Sequence, residues 1–156
     1  QTALLEAAAR SGQAVNVKKG QFLAPEEMGQ AVEKLTGAGG ERILLTERGT
    51  SFGYHDLVVD MRGLVAMRAL GWPVVYDATH SLQKPGGTET RGDRRYAFPL
   101  MRAAIACGVD ALFFEAHPDP ERALSDAGTQ LPLAEAEAFL DEARRVREAV
   151  TEGAHA

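Results

Sequence analysis

Cysteine is almost missing from this 156-residue chain. Cys107 stands alone, so no disulfide can form within the chain, a usage that fits a reducing compartment such as the cytoplasm. Long apolar runs are missing too: no stretch approaches the roughly 20 residues needed to cross a bilayer. The start shows no cationic, apolar and small-residue succession of a secretory leader. Positive charge is in the minority, with 17 Lys and Arg against 22 Asp and Glu and a formal net charge of −5. That balance argues against general attraction to a nucleic-acid backbone. It leaves phosphorylated metabolites open, because a few well-placed cations suffice to hold them. Internal repeats and linker-like stretches are also lacking, so the chain reads as one domain over residues 1–156, with the apolar and charged content of an ordinary globular unit.

What is present is an alternation. Leu4 to Arg10 is rich in helix formers and reads as a helix stopped at Gly12. Ala14 to Lys18 alternates as a strand, with Val15 and Val17 against Asn16 and Lys18. Pro25, Glu26 and Glu27 open a second helix, proline suiting the first turn and carboxylates the positive end of the dipole. Strands are then expected over Arg42 to Thr46, Pro73 to Asp77 and Ala111 to Glu115. Helices are expected over Leu57 to Leu70, Tyr96 to Ala106 and Pro132 to Val150, with loops at 48–53 and 117–131. Short buried strands alternating with helices, at a repeat of about thirty residues, imply an α/β protein with a parallel sheet. The order alone excludes neither a doubly wound sheet nor a barrel.

Each strand stays apolar until its C-terminal end, where a charged or metal-binding group appears. Lys18 and Lys19 end the first, Glu47 and Arg48 the second, Asp77 to His80 the third, and Glu115 and His117 the fourth. In parallel α/β folds ligands bind at that edge of the sheet. Taken singly, a strand-end lysine is a solvated charge, Arg48 before Gly49 a turn residue, His80 a loop histidine and Glu115 half of an ion pair. Their shared position is what raises them to candidates. Lysine and arginine suit a phosphate or carboxylate, while His80, Glu115 and Asp126 suit a divalent metal. Together they point to a phosphorylated substrate and carbonyl chemistry.

Four longer strings are more specific: VNVKKGQF from Val15, LTERGTSFGYHDLVVDMR from Leu45, YDATHSLQ from Tyr76 and FEAHPDPERALSDAGTQLPL from Phe114. In order and spacing they resemble the 3-deoxy-D-manno-octulosonate 8-phosphate synthase family, nearly end to end. The resemblance implies a TIM (β/α)8 barrel, usually a homotetramer, that joins phosphoenolpyruvate to arabinose 5-phosphate. It implies that Lys18 and Arg48 hold the phosphate of phosphoenolpyruvate. It implies that His80, Glu115 and Asp126 ligate a catalytic divalent metal ion (Zn, Fe, Mn or similar), with Gln83 beside them. Glu47, Asn16 and Phe52 become supporting or packing residues, and Asp77 the holder of its strand end. Ser125 before Asp126 resembles the metal-dependent branch, whose relatives without metal carry cysteine there.

The family's chains are much longer. The resemblance places this chain at the C-terminal part of the barrel, from the fourth helix through strands five to eight. Lysines for the phosphoenolpyruvate carboxylate, the arabinose phosphate site and a fourth metal ligand (cysteine or asparagine) are then expected upstream. Cys107, at the end of a helix pattern, reads as a packing residue. The segment Lys84 to Asp93 reads as a surface loop or a lid over the substrates, with Arg94 holding it or meeting a substrate phosphate. His55 and His155 read as surface residues, and His117 as one that shapes its loop. Two alternatives stand beside the main reading. One is the related seven-carbon synthase using erythrose 4-phosphate. The other is a non-catalytic half-barrel, whose open sheet edges favour association and which is not expected to turn over alone.

Overall fold

Short apolar runs rich in Val, Ile and Leu cannot satisfy their backbone groups singly, and here they pair side by side. The computed structural model describes residues 1–86 and 91–153. The principal strands are β1 (Val15–Lys18), β2 (Ile43–Glu47), β5 (Val74–Asp77) and β8 (Ala111–Phe113). They form one sheet in the order β1-β2-β5-β8, with every pair parallel. Val17 lies opposite Leu45, Leu45 opposite Val74, and Val75 opposite Ala111. Each new strand is added to the same edge, so the order of these four strands never reverses. β5 is buried along its whole length and β2 almost so, while β1 alternates between half-buried and exposed residues. Burial on both faces is why the central strands are continuous hydrophobic runs.

The helices are α1 (Thr2–Arg10), α2 (Met28–Gly37), α3 (Met61–Arg68), α4 (Ala97–Ala106) and α5 (Ala136–Gly153). A single 3-10 turn at Pro25–Glu27 leads into α2, where the Ala24 N–H donates to the Glu27 carboxylate at 2.7 Å. That bond satisfies one of the donors a helix start leaves open. α1 packs on α2, α3 on α4 and α4 on α5, with α2 and α3 against β2. Between them lies one core that includes Met28, Leu35, Leu45, Leu64, Met67, Met101 and Phe139. Phe139 is fully buried, its ring 5.2 Å from Phe98 edge-on and 5.0 Å from Phe114. Cys107 caps α4 and packs against this core, as its helix-end position suggests.

Leu57 to Leu70 is not a single helix. Thr50–Phe52 (β3) and Asp56–Val58 (β4) pair antiparallel as a hairpin, and α3 begins only at Met61. Two local causes move the boundary. The turn at Gly53 to His55 is left-handed, with φ of 46 at Tyr54 and 62 at His55, so the chain reverses there. Asp60 then caps α3, its carboxylate accepting from the Arg62 N–H at 3.0 Å, a stronger start signal than the apolar residues before it. Between these, Asp56, Leu57 and Val58 alternate exposed, buried, exposed, the period of a strand.

Two smaller ribbons complete the rim: β6 (Gln83–Lys84) with β7 (Arg91–Gly92), antiparallel, and β9 (Ala116–His117) with β10 (Leu131–Pro132), parallel. The stretch 117–131 is therefore tied back to the sheet end rather than free. Gly92 and Gly128 meet backbone to backbone. A Cβ on Gly128 would lie 2.9 Å from the Gly92 carbonyl oxygen, and one on Gly92 would collide with the Thr129 methyl at 2.1 Å. Residues 87–90 of the expected lid, and His155, lie outside the described residues. Among those described, no helix is long and apolar enough to cross a membrane.

Candidate active site

The C-terminal strand ends converge on Asp77, the last residue of β5, which is fully buried. Its Oδ1 accepts from the N–H groups of Thr79 at 3.0 Å and His80 at 2.8 Å. Its Oδ2 accepts from Lys18 Nζ and from His80 Nδ1, both at 2.8 Å. Burial alone would push this carboxyl up, but the bonds from His80 and Lys18 outweigh it and hold the group below the usual carboxylate range. Lys18 ends β1 and reaches across β2 to this oxygen, its Nζ lying 4.0 Å over the Phe113 ring, a favourable place for a cation.

An ionised Asp77 decides which nitrogen of His80 carries the proton. In the neutral imidazole Nδ1 then donates to the carboxylate, and Nε2 is left with a lone pair. That lone pair lies 3.5 Å from Glu115 Oε1. Two acceptors facing each other at this range repel unless a cation or a proton sits between them. Ligand atoms of His80, Glu115 and Asp126 all lie within 4.8 Å of one another. One imidazole and two carboxylates suit a borderline or hard divalent ion. The Asp77–His80 bond is the outer support such a histidine ligand ordinarily has. The residues present therefore fit a divalent metal ion.

Each carboxylate is aimed by its surroundings. The Glu115 N–H donates to Thr79 Oγ1 at 2.7 Å, and Glu115 Oε2 accepts from Gln130 Nε2 at 3.1 Å. Asp126 has a positive φ of 57, a conformation aspartate tolerates better than most residues. Its carbonyl accepts from Thr129 and Gln130 N–H, both at 2.9 Å, which locks the turn. Asp126 Oδ1 accepts from Gln83 Nε2, and Gln83 Oε1 accepts from Arg48 Nη2 at 2.8 Å. Gln83 thus links the arginine to the triad. Burial lowers the Arg48 pKa while the Asp77 and Asp126 carboxylates oppose the shift, and the guanidinium stays charged at any ordinary pH.

Of the sequence candidates, Lys18, Arg48, His80, Gln83, Glu115 and Asp126 stand in one connected network. Arg94 engages elsewhere. Its Nη2 donates to Glu121 Oε1 at 2.6 Å and to the Ala127 carbonyl at 2.7 Å, and its N–H to the Gly128 carbonyl at 2.9 Å. It grips the loop that carries Asp126. His117 shapes its own loop by accepting the Asp119 N–H at 3.0 Å, and His55 is exposed. Asn16 supports β2 by accepting from Thr46 Oγ1. Phe52 does not pack: it stands 67% exposed on its hairpin, because the outward position of a two-stranded ribbon has nothing above it.

Lys19 stands with Lys18 among the strand-end charges, but neither the pattern nor the resemblance assigns it a partner. It is buried, with Nζ 3.6 Å from Glu47 Oε2 and donating to Thr50 Oγ1 at 3.0 Å, Leu23 O at 3.3 Å and Gly20 O at 3.4 Å. Glu47 Oε1 in turn accepts the Gly49 N–H at 2.6 Å, directly under Arg48. Burial raises the Glu47 carboxyl, with Lys19 working against that rise. Thr79 and Gln130 are likewise buried polar residues whose roles appear only once the strand ends are assembled.

Known proteins resemble this chain in sequence over most of its length. The 2-dehydro-3-deoxyphosphooctonate aldolase of Syntrophotalea carbinolica is 60% identical over 144 residues, covering 91% of this chain and 52% of that protein. The protein of the same name from Nitratidesulfovibrio vulgaris is 58% identical over 144 residues, 91% of this chain and 53% of its own length. That from Cyanothece sp. is 55% identical over 152 residues, 96% and 56% respectively. The chain thus spans about half the length of these curated relatives. Residues 1–152 match the DAHP synthetase I family, and with a match over that much of its length the chain is a member of the DAHP synthetase I family.

Proposed function

We propose that the native protein condenses phosphoenolpyruvate with D-arabinose 5-phosphate and water, giving 3-deoxy-D-manno-octulosonate 8-phosphate and inorganic phosphate. The observation that carries this reading is the juxtaposition of Lys18 and Arg48 with the His80–Glu115–Asp126 triad through Asp77 and Gln83. Cations for a phosphate beside ligands for a metal suit the joining of an enol phosphate to an aldehyde. Relatives named for the eight-carbon product favour arabinose 5-phosphate over erythrose 4-phosphate as acceptor. In this reading the sheet is part of a (β/α)8 barrel and the chain its C-terminal portion, strands five to eight. The unreversed strand order and the doubled length of the relatives support it. A cytoplasmic homotetramer belongs to the same proposal.

In the reaction, C3 of phosphoenolpyruvate bonds to the aldehyde carbon, water oxygen adds at C2, and phosphate leaves as C2 becomes a carbonyl. A divalent metal bound by the triad supplies Lewis acidity towards a carbonyl oxygen or a water. Lys18 and Arg48 grip the phosphate, one as a compact charge and the other as a planar fork. Gln83 and the turn over Glu47 hold Arg48 in direction, so its field is in place before charge develops at C2. Asp77 keeps His80 in the tautomer that leaves Nε2 available. Arg94 keeps Asp126 facing inward by fixing the loop behind it.

The test uses purified native protein with phosphoenolpyruvate and either arabinose 5-phosphate or erythrose 4-phosphate, following phosphate release and product mass. Arabinose 5-phosphate should give the eight-carbon product. Preferred turnover of erythrose 4-phosphate would replace this reading with the seven-carbon one, and no release with either sugar would sink both. Chelation should abolish turnover and added divalent metal restore it; undiminished activity after metal removal rules out the metal role.

A further inference from the structure

We propose that Asp77 couples the two halves of this site, so that an anion held at Lys18 and a divalent cation held at His80 tighten each other's binding. The inference rests on the anion and metal roles proposed above for those two residues. A single carboxylate oxygen, Asp77 Oδ2, receives both Lys18 Nζ and His80 Nδ1 at 2.8 Å. Asp77 itself is immobile. It is fully buried at the end of a central strand, and its other oxygen is held by two backbone N–H groups. Lys18 is not so confined. Its side chain is 38% exposed.

With no anion present, lysine and histidine compete for one oxygen. The ammonium lies only 3.3 Å from His80 Nδ1. When Nδ1 bears its proton, both groups are donors, so that contact is a repulsion rather than a bond. A full positive charge there disfavours a second cation on the far side of the ring. An anion bonded to Lys18 offsets that charge and draws the ammonium outward. Asp77 Oδ2 is then left to Nδ1–H, and a stronger bond there makes Nε2 the better metal donor. Linkage makes the effect reciprocal: whatever factor the anion adds to metal affinity, the metal adds to anion affinity.

Binding measurements test this without any turnover. Metal-depleted native protein is titrated with Co(II), read by calorimetry and by the visible absorption of the bound ion, with and without phosphoenolpyruvate. The anion should lower the Co(II) Kd by about fivefold or more, the low end of ordinary coupling between sites. Lys18→Met should bind Co(II) several-fold more tightly than the unsubstituted protein in the absence of anion, and phosphoenolpyruvate should then leave that affinity unchanged. Asp77→Asn should weaken Co(II) binding by about 10–100-fold, as loss of a histidine's outer support generally does, and should remove the effect of the anion.

An unsubstituted protein that fails to bind Co(II), or whose Kd moves less than twofold with phosphoenolpyruvate, overturns the coupling whatever the variants do. So does a Lys18→Met variant that binds Co(II) no better than its parent, a result independent of whether Asp77→Asn folds. Coupling observed in a protein that makes no sugar acid would sink the proposed reaction and leave the coupling standing. Turnover without coupling would do the reverse.

Discussion

Replacing Lys19 with methionine should damage the fold through charge rather than volume. Methionine nearly matches the lysine stem, so little cavity opens. What is lost is the ammonium paired with Glu47, which lies 3.6 Å away with its side chain 3% exposed, and the bonds to Thr50, Leu23 and Gly20. Removing one partner of a buried ion pair costs about 3–5 kcal/mol, because the other charge stays buried without compensation. At about 2–4 °C per kcal/mol for a domain of this size, the unfolding midpoint should fall by about 6–20 °C. The deficit should also depend on pH in a definite sense. The Glu47 carboxyl is already raised by burial, and without Lys19 it rises further. A group whose folded pKa exceeds its unfolded value costs nothing below the unfolded value and progressively more as pH rises through the folded one. The variant should therefore lie closest to the parent near pH 4 and furthest from it above pH 7. Differential scanning calorimetry of the native protein and of Lys19→Met across that range provides the measurement. Lys19→Met/Glu47→Gln should recover most of the loss. A pH-independent deficit, or a double variant as unstable as the single one, would refute the argument.

Arg48→Lys keeps the charge but loses the planar fork and the bond to Gln83. With about 1.5–3 kcal/mol for a hydrogen bond to a charged group, KM for phosphoenolpyruvate should rise about 10–100-fold in steady-state kinetics; an unchanged KM removes Arg48 from the phosphate site. Phe139→Ala empties the centre of the Phe98–Phe139–Phe114 cluster and should cost about 3–5 kcal/mol of stability. Denaturant unfolding checks this, and a cost below about 1 kcal/mol would mean the cluster carries little of the core.

Much of the fold was legible because its signals are local. β2 and β5 are short apolar runs with charged ends, and burial on both faces demands that composition. The hairpin at Thr50–Val58 was not legible as such. Leu57, Val58 and Val59 also satisfy a helical apolar pattern, and only the left-handed turn at Tyr54 and His55 and the Asp60 cap decide against it. Lys18, Arg48, His80 and Glu115 became candidates because strand-end charges in a parallel sheet share one rim, whereas Asp126, in the loop before β10, entered as a carboxylate suited to a metal and through the resemblance. The role of Lys19 could not be read this way: burial of a lysine depends on Glu47 and Thr50, about thirty residues away, arriving beneath it. Asp77 was read as a strand-end support, which its backbone bonds bear out, yet its shared Oδ2 is a three-body contact between β1 and β5 that no spacing announces.

The meeting of Gly92 with Gly128 has a mechanical consequence. No side chain separates the two backbones there, so the ribbon that begins at Gln83 and the loop that presents Asp126 bear on each other like two faces of a closed hinge. A Cβ added on Gly128 runs into the backbone of Gly92 at 2.9 Å. A Cβ on Gly92 would strike Leu82 O at 2.7 Å as well as Thr129, and would displace the very residues that flank Gln83 and Asp126. Attempts to vary this rim by mutagenesis will therefore find these two positions moving together: neither glycine can be enlarged unless its neighbours across the contact are given somewhere to go.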